Sequence, residues 1–182
     1  AAADRVRAAF GCRSFRVYAS DDVIGVEIAG ALKNVVALGT GMAEGLGFGD
    51  NTKGALVARG LKETLSLGLA MGGRLETFLG IAGVGDLFAT AASPLSRNNR
   101  VGRALGEGKS LADALAEVGQ TAEGVPTAEA AVTLCRRHGV NAPVLTMIEA
   151  IIRGQLRARD GVAMLMERST RDEGLGDLLR RE

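Results

Sequence analysis

The sequence predicts a mainly α-helical domain, and three observations carry that prediction. Apolar residues recur at helical spacing through most of the 182 residues and alternate in strand fashion in one short stretch only. Glycine is abundant, at 26 residues, and with the three prolines it punctuates the apolar segments where helices stop and start. Hydrophobic residues make up 47% and charged residues 24%, enough to bury a core and too apolar for a disordered chain.

Taken in order, residues 4–10 read as the last turns of a helix stopped by Gly11. Residues 14–19, with Phe15, Val17 and Tyr18, alternate and predict a strand. Asp21 and Asp22 form an N-cap pair for a helix over 23–43. That helix is apolar nearly all round, which places it at the centre. Its small residues Gly25, Ala29, Gly30, Gly39 and Gly41 suit close approach by neighbours. It is long enough to cross a membrane, but Glu27, Lys33 and Asn34 would be costly in lipid, so a span is not expected. The loop 45–50 leads to Asp50 as N-cap of a helix over 51–71, stopped by Gly72 and Gly73.

A helical turn over 75–79 is followed by the glycine-punctuated segment 80–86. Ser93 and Pro94 read as N-cap and first residue of a helix running to Leu105. Ser110 with Asp113 opens a helix over 111–118. Pro126 starts a helix that Gly139 ends, Pro143 starts one that Gly154 ends, and 158–166 is a last short helix. The charge-rich tail 167–182 is expected to be loosely held. Residues 1–20 are expected to be the end of something else, and 21–166 to form the helical domain.

Composition excludes several functions. Lys plus Arg number 22 against 21 Asp plus Glu, a net charge of +1 that does not suit a nucleic-acid or anionic-membrane binder. Aromatics are 3%, too few for base stacking. Two cysteines make no disulfide framework and no signal peptide is read, so a cytoplasmic setting is expected. Cys135 and His138, one helical turn apart, are two ligands where structural zinc needs four. His138 is the sole histidine, which leaves no Ser-His-Asp or Cys-His arrangement. Gly45, Gly47 and Gly49 follow a helix rather than a strand, so they are an interhelical loop and not a dinucleotide fingerprint.

Three constellations remain. Lys33 is an ammonium in an apolar run, where it either moves protons or forms an ion pair, with Glu27 or Asp86. Asp86 emerges just after Gly83 and Gly85, with Thr90 on the same helical face. Ser96, Arg97 and Asn98 gather a hydroxyl, a guanidinium and an amide at a helix start, a collection that suits phosphate or another anion.

The runs GALKN (30–34), GVGDLFAT (83–90), SRNNRVG (96–102) and AEGVPT (122–127), in this order, resemble bacterial NAD(P)-dependent glycerol-3-phosphate dehydrogenases. The resemblance extends from about Phe15 to about Met166 and concerns the family's C-terminal, substrate-binding half. It implies an all-helical domain like the C-terminal domain of 6-phosphogluconate dehydrogenase. It also implies interconversion of dihydroxyacetone phosphate and sn-glycerol 3-phosphate with NAD or NADP, feeding phospholipid synthesis. By the resemblance Lys33 transfers the proton at the C2 oxygen, and Asn34, Asp86 and Thr90 line the substrate. Ser96, Arg97 and Asn98 match the phosphate site, while Arg97 and Glu123 reach the cofactor. Thr121 stands where the family often has an aliphatic residue and is left outside the site. The resemblance implies that residues 1–20 are the end of an N-terminal dinucleotide-binding domain, which bears the family's dinucleotide fingerprint, so this chain alone is expected not to turn over. The competing readings are a non-catalytic helical module that dimerises through 23–43, with Lys33 in an interface ion pair, and a related 2-hydroxy-acid dehydrogenase. A homodimer is compatible with either kind.

Overall fold

A computed structural model describes residues 2–166; the tail 167–182 lies outside the described residues. Helix α1 (Ala2–Phe10) has no buried residue and ends where the Gly11 N–H donates to Arg7 O at 2.8 Å. The strand expected over 14–19 does not form: an isolated antiparallel bridge joins Cys12 to Phe15, and no strand occurs among the described residues. A strand must lend its N–H and C=O groups to a neighbour, and Phe15 and Tyr18 lie exposed with no sheet beside them.

Helix α2 (Val23–Gly45) is the axis of the fold. Asp22 caps it by accepting from Gly25 N at 2.9 Å. The second carboxylate oxygen accepts from Arg74 N at 2.9 Å and from the Thr77 hydroxyl at 2.6 Å. Around α2 pack α3 (Asp50–Ala70), α4 (Leu75–Leu79), a π-helical turn (Ile81–Gly85), α5 (Asp86–Ala92), α6 (Arg97–Gly106), α8 (Gly124–Arg137) and α9 (Pro143–Ile152). Helix α7 (Leu111–Val118) packs on α6, and α10 (Ala158–Met166) on α9. By length and composition α2 could span a bilayer, yet half of its apolar window is buried inside the protein. Val35, Val36, Ala37 and Leu38 are fully enclosed.

Three helix starts differ from the sequence expectation. Gly49, not Asp50, takes the N-cap place with extended backbone. Asp50 enters the first turn, where its carboxylate still favours the helix dipole and pairs with Lys53 at 2.9 Å. Ser93 closes α5, and its hydroxyl accepts from Leu95 N in a local turn; Ser96 is the cap of α6, accepting from Asn99 N at 3.3 Å. Helix α8 starts two residues before Pro126, which the first turn tolerates because no intrahelical donor is needed there.

The contact between α2 and α6 is made by glycines on both sides. A Cβ at Gly41 would lie 2.0 Å from Asn99 O, at Gly45 2.1 Å from Arg103 O, at Gly102 2.0 Å from Leu38 O, and at Gly106 2.3 Å from Met42 O. Each helix thus offers two glycines, four residues apart and on one face. Gly39 is filled by Ile148 and Leu56 side chains, whereas Gly30 faces open space.

Candidate functional site

Lys33 lies midway along α2 and Asp86 at the start of α5. The fold brings them together in an ion pair between Lys33 Nζ and Asp86 Oδ2. Asp86, not Glu27, is the partner of Lys33. The lysine side chain is 23% exposed and the aspartate 41%, so both reach solvent at the edge of the core. Thr90 places its hydroxyl 3.4 Å from Asp86 Oδ1, one turn along α5. Ala29, Leu61, Thr64, Gly83 and Leu87 wall the crevice that holds the Lys33 stem.

Asp86 is delivered by an irregularity. The π-helical turn Ile81–Gly85 places its extra residue just before α5, and such turns re-aim the chain that follows. It requires Gly83: a Cβ there would meet Phe78 O at 2.0 Å. The π turn was not foreseen from sequence; Gly80, Gly83 and Gly85 in six residues were its only signal.

The start of α6 is joined to α2 next to Lys33, through Asn98 and Asn34. Ser96 commits its hydroxyl to capping, and Arg97 is exposed in the first turn, where peptide N–H groups lack intrahelical partners. Asn98 is 5% exposed. Its Nδ2 donates to Asn34 Oδ1 at 2.9 Å, and its Oδ1 accepts from Gly124 N at 2.9 Å. Asn34 Nδ2 donates in turn to Gly30 O at 3.2 Å. Asn99, missed by sequence reasoning, donates to Ala91 O at 3.2 Å, a carbonyl that also accepts from Thr40 at 3.2 Å. Those two bonds tie the end of α5 to α6 and α2. Glu123 is exposed at the N-cap of α8.

The expected residues therefore form two groups. Lys33, Asp86 and Thr90 are in contact, and Asn34, Asn98 and the Glu123–Gly124 turn are in contact. The side chains of Arg97 and Glu123 are exposed and form no ion pair with a described residue. Around Asp86 the apolar side chains of Ile81, Val84 and Phe88 are exposed. His138 closes α8, and no group of three or more potential metal ligands occurs among the described residues.

The family described as NAD-dependent glycerol-3-phosphate dehydrogenase C-terminus matches residues 22–163. A glycerol-3-phosphate dehydrogenase (NAD(P)+) of Cupriavidus taiwanensis is 51% identical over 171 residues, covering 94% of this chain and 51% of the relative. That of Geobacter sulfurreducens is 49% identical over 173 residues, covering 95% and 52%. Among solved structures, glycerol-3-phosphate dehydrogenase of Coxiella burnetii superimposes with a TM-score of 0.87 at 38% identity, covering 91% of this chain and 51% of that one. The enzyme of Saccharomyces cerevisiae gives 0.80 at 33%, covering 90% and 48%. The chain spans about half the length of the curated relatives it matches.

Proposed function

Because this chain belongs to the C-terminal family of NAD-dependent glycerol-3-phosphate dehydrogenases, we propose that it is the helical, substrate-holding half of an enzyme interconverting dihydroxyacetone phosphate and sn-glycerol 3-phosphate. Residues 21–166 read as the substrate domain and 1–20 as the close of a nucleotide-binding domain. The exposed Ile81, Val84 and Phe88 fit a face over which that domain closes. The observation that carries the reading is the Lys33–Asp86 pair, set at the end of an irregular turn in an otherwise apolar setting.

NAD or NADP, when bound, supplies the hydride for C2 or accepts it. The donor set fits such a group: an exposed guanidinium at Arg97 suits phosphate, and an exposed carboxylate at Glu123 suits a hydroxyl or amide N–H. Lys33 Nζ gives a proton to the C2 oxygen on reduction and takes one on oxidation, as general acid–base catalysis requires. Asp86 fixes the direction of the ammonium, and Thr90 braces Asp86. Arg97 and the α6 N-terminus hold the remote phosphate, whose binding energy orients the carbonyl, while Ser96 caps that turn and Asn98 anchors it to α2 and α8.

The non-catalytic dimer module has no observation in its favour. Of the small residues in the helix that would mediate it, Gly39 and Gly41 are covered within the chain by α9, α3 and α6, while Gly30 faces open space. A cytoplasmic setting belongs to the proposal, with Cys12 and Cys135 as free thiols.

The test is an assay of the full-length protein with dihydroxyacetone phosphate and NADH or NADPH, with Arg97→Ala beside it. Loss of the guanidinium should weaken binding of phosphorylated substrate, by about 2–5 kcal/mol where the closed site leaves the phosphate buried. Arg97→Lys should recover only part, because a point charge cannot reproduce the planar fork. Wild-type affinity for substrate and cofactor in Arg97→Ala removes the phosphate assignment.

A further inference from the structure

Beneath the candidate site a relay of amide hydrogen bonds crosses from α2 through α6 to α8: Gly124 N to Asn98 Oδ1, Asn98 Nδ2 to Asn34 Oδ1, and Asn34 Nδ2 to Gly30 O. Its direction is determined at both ends. A peptide N–H can only donate and a peptide carbonyl can only accept, so each asparagine amide has one orientation. Asn98 is buried, with one Nδ2–H given to Asn34 and its Oδ1 taken by Gly124 N, so the side chain is tied to these two partners. One partner, Asn34, adjoins Lys33; the other, Gly124, adjoins Glu123. The first turn of α8 also presses on α2 itself, since a Cβ at Gly124 would lie 2.5 Å from Asn34 O.

We infer that Asn98 is a positioning residue that couples the substrate side of the site to the cofactor side through Asn34 and Gly124. The inference rests on the function proposed above, in which Lys33 serves substrate, Glu123 serves cofactor and Arg97 reaches both. Asn98 follows Arg97 in the first turn of α6, so a phosphate seated on that turn immobilises the Asn98 backbone. The Gly124 N–H is held by Asn98 Oδ1 in a buried place, where leaving it unbonded carries a desolvation penalty. The α8 start, with Glu123, therefore cannot shift independently of α6. Ordering either ligand orders the groups that receive the other, and linkage makes the effect reciprocal.

The experiment uses the full-length enzyme and a pair of ligands that cannot react, NADH (or NADPH) and glycerol 3-phosphate, both reduced. Cofactor dissociation constants are measured by nucleotide fluorescence, with and without saturating glycerol 3-phosphate. In the wild type, glycerol 3-phosphate tightens the cofactor, within the roughly 5–150-fold range of ordinary coupling. In Asn34→Ala that tightening is lost and cofactor affinity falls about tenfold, although Asn34 is not a cofactor contact. Asn98→Ala does the same, and the double variant is no worse than either single one. Asn34→Ala carries the test if Asn98→Ala does not fold, because it leaves Gly124 bonded and alanine suits a helix. Unchanged cofactor affinity and intact tightening in Asn34→Ala, with only substrate KM raised, overturns the coupling. A lowered melting temperature with intact tightening overturns it equally. A wild-type enzyme that neither binds nicotinamide nucleotide nor reduces dihydroxyacetone phosphate overturns the function itself, a separate result.

Discussion

Glu63, buried in α3, accepts the peptide N–H of Val144 at 2.8 Å, and its second oxygen accepts that of Leu145 at 2.9 Å. The first turn of α9 is thus capped by a carboxylate from a helix some eighty residues earlier, because Ala142, its own N-cap residue, has no side chain able to do so. Glu63→Ala should orphan two buried donors and cost about 2–4 kcal/mol of stability. Glu63→Gln, which keeps one acceptor oxygen, should lose roughly half as much. Urea midpoints at unchanged m-value give the comparison; an alanine variant as stable as wild type would show the cap to be dispensable.

The glycine contacts predict opposite signs for one chemical change. Gly102→Ala drives a methyl group into the α2 backbone and should destabilise by about 1–3 kcal/mol or more. Gly54→Ala, on an exposed helical position with nothing within 4 Å, should stabilise by about 0.5–1 kcal/mol. Paired thermal melts decide the matter, and equal shifts in the same direction would refute it.

Acid should find Asp22. The Thr77 hydroxyl, with the Arg74 and Gly25 N–H groups, holds its carboxyl below the usual carboxylate range. A depressed folded value means that the unfolded chain binds the proton first, so stability rises with pH through that window. The contribution is complete above the unfolded value of about 3.9 and is lost as pH falls through the folded one. Asp22→Asn should be less stable than wild type at neutral pH, and the gap should close in acid. A gap independent of pH would exclude this carboxylate as a source of acid sensitivity.

Lys33→Met separates chemistry from packing. Asp86 is exposed enough to be solvated once its partner is gone, so the fold should hold or gain. Loss of proton transfer typically costs about 10²–10⁴ in rate. Turnover and melting temperature measured on one preparation of the full-length protein read both effects. An active but destabilised variant would leave Lys33 a structural residue.

The two thiols should differ in reactivity. The Ser14 hydroxyl draws the exposed Cys12 thiol below its ordinary value, while burial, and then the Glu63 charge, pushes Cys135 up to about 11. A native sample near neutral pH should give one fast thiol with an aromatic disulfide reagent, and a second only after unfolding. Two fast thiols in the native protein would contradict the burial of Cys135.

Features that depend on neighbouring residues were legible in the sequence. The apolar run of α2, the Ser110 cap and the Gly139 and Gly154 stops are local, and the fold contains all of them. The strand over 14–19 failed because pairing is a property of two segments. Ser93 and Ser96 compete for one cap, and only the packed position of Asn98 and Asn99 decides between them. For Lys33, helical geometry already disfavours Glu27, six residues back and off its face; the pairing with Asp86 needed the π turn. The amide relay spans separations of 64 and 26 residues, which no sequence window contains.

The reciprocal glycines give the site a gauge. Over residues 38–45 and 99–106 the Lys33 helix and the helix that begins at Arg97 are spaced by peptide against peptide, so side-chain size at those glycines cannot reset the gap. On the proposed function, that spacing helps set the reach from Lys33 to the turn that holds the phosphate. A change of that reach is more readily made in the 93–96 connection ahead of α6 than by enlarging the glycines of the contact.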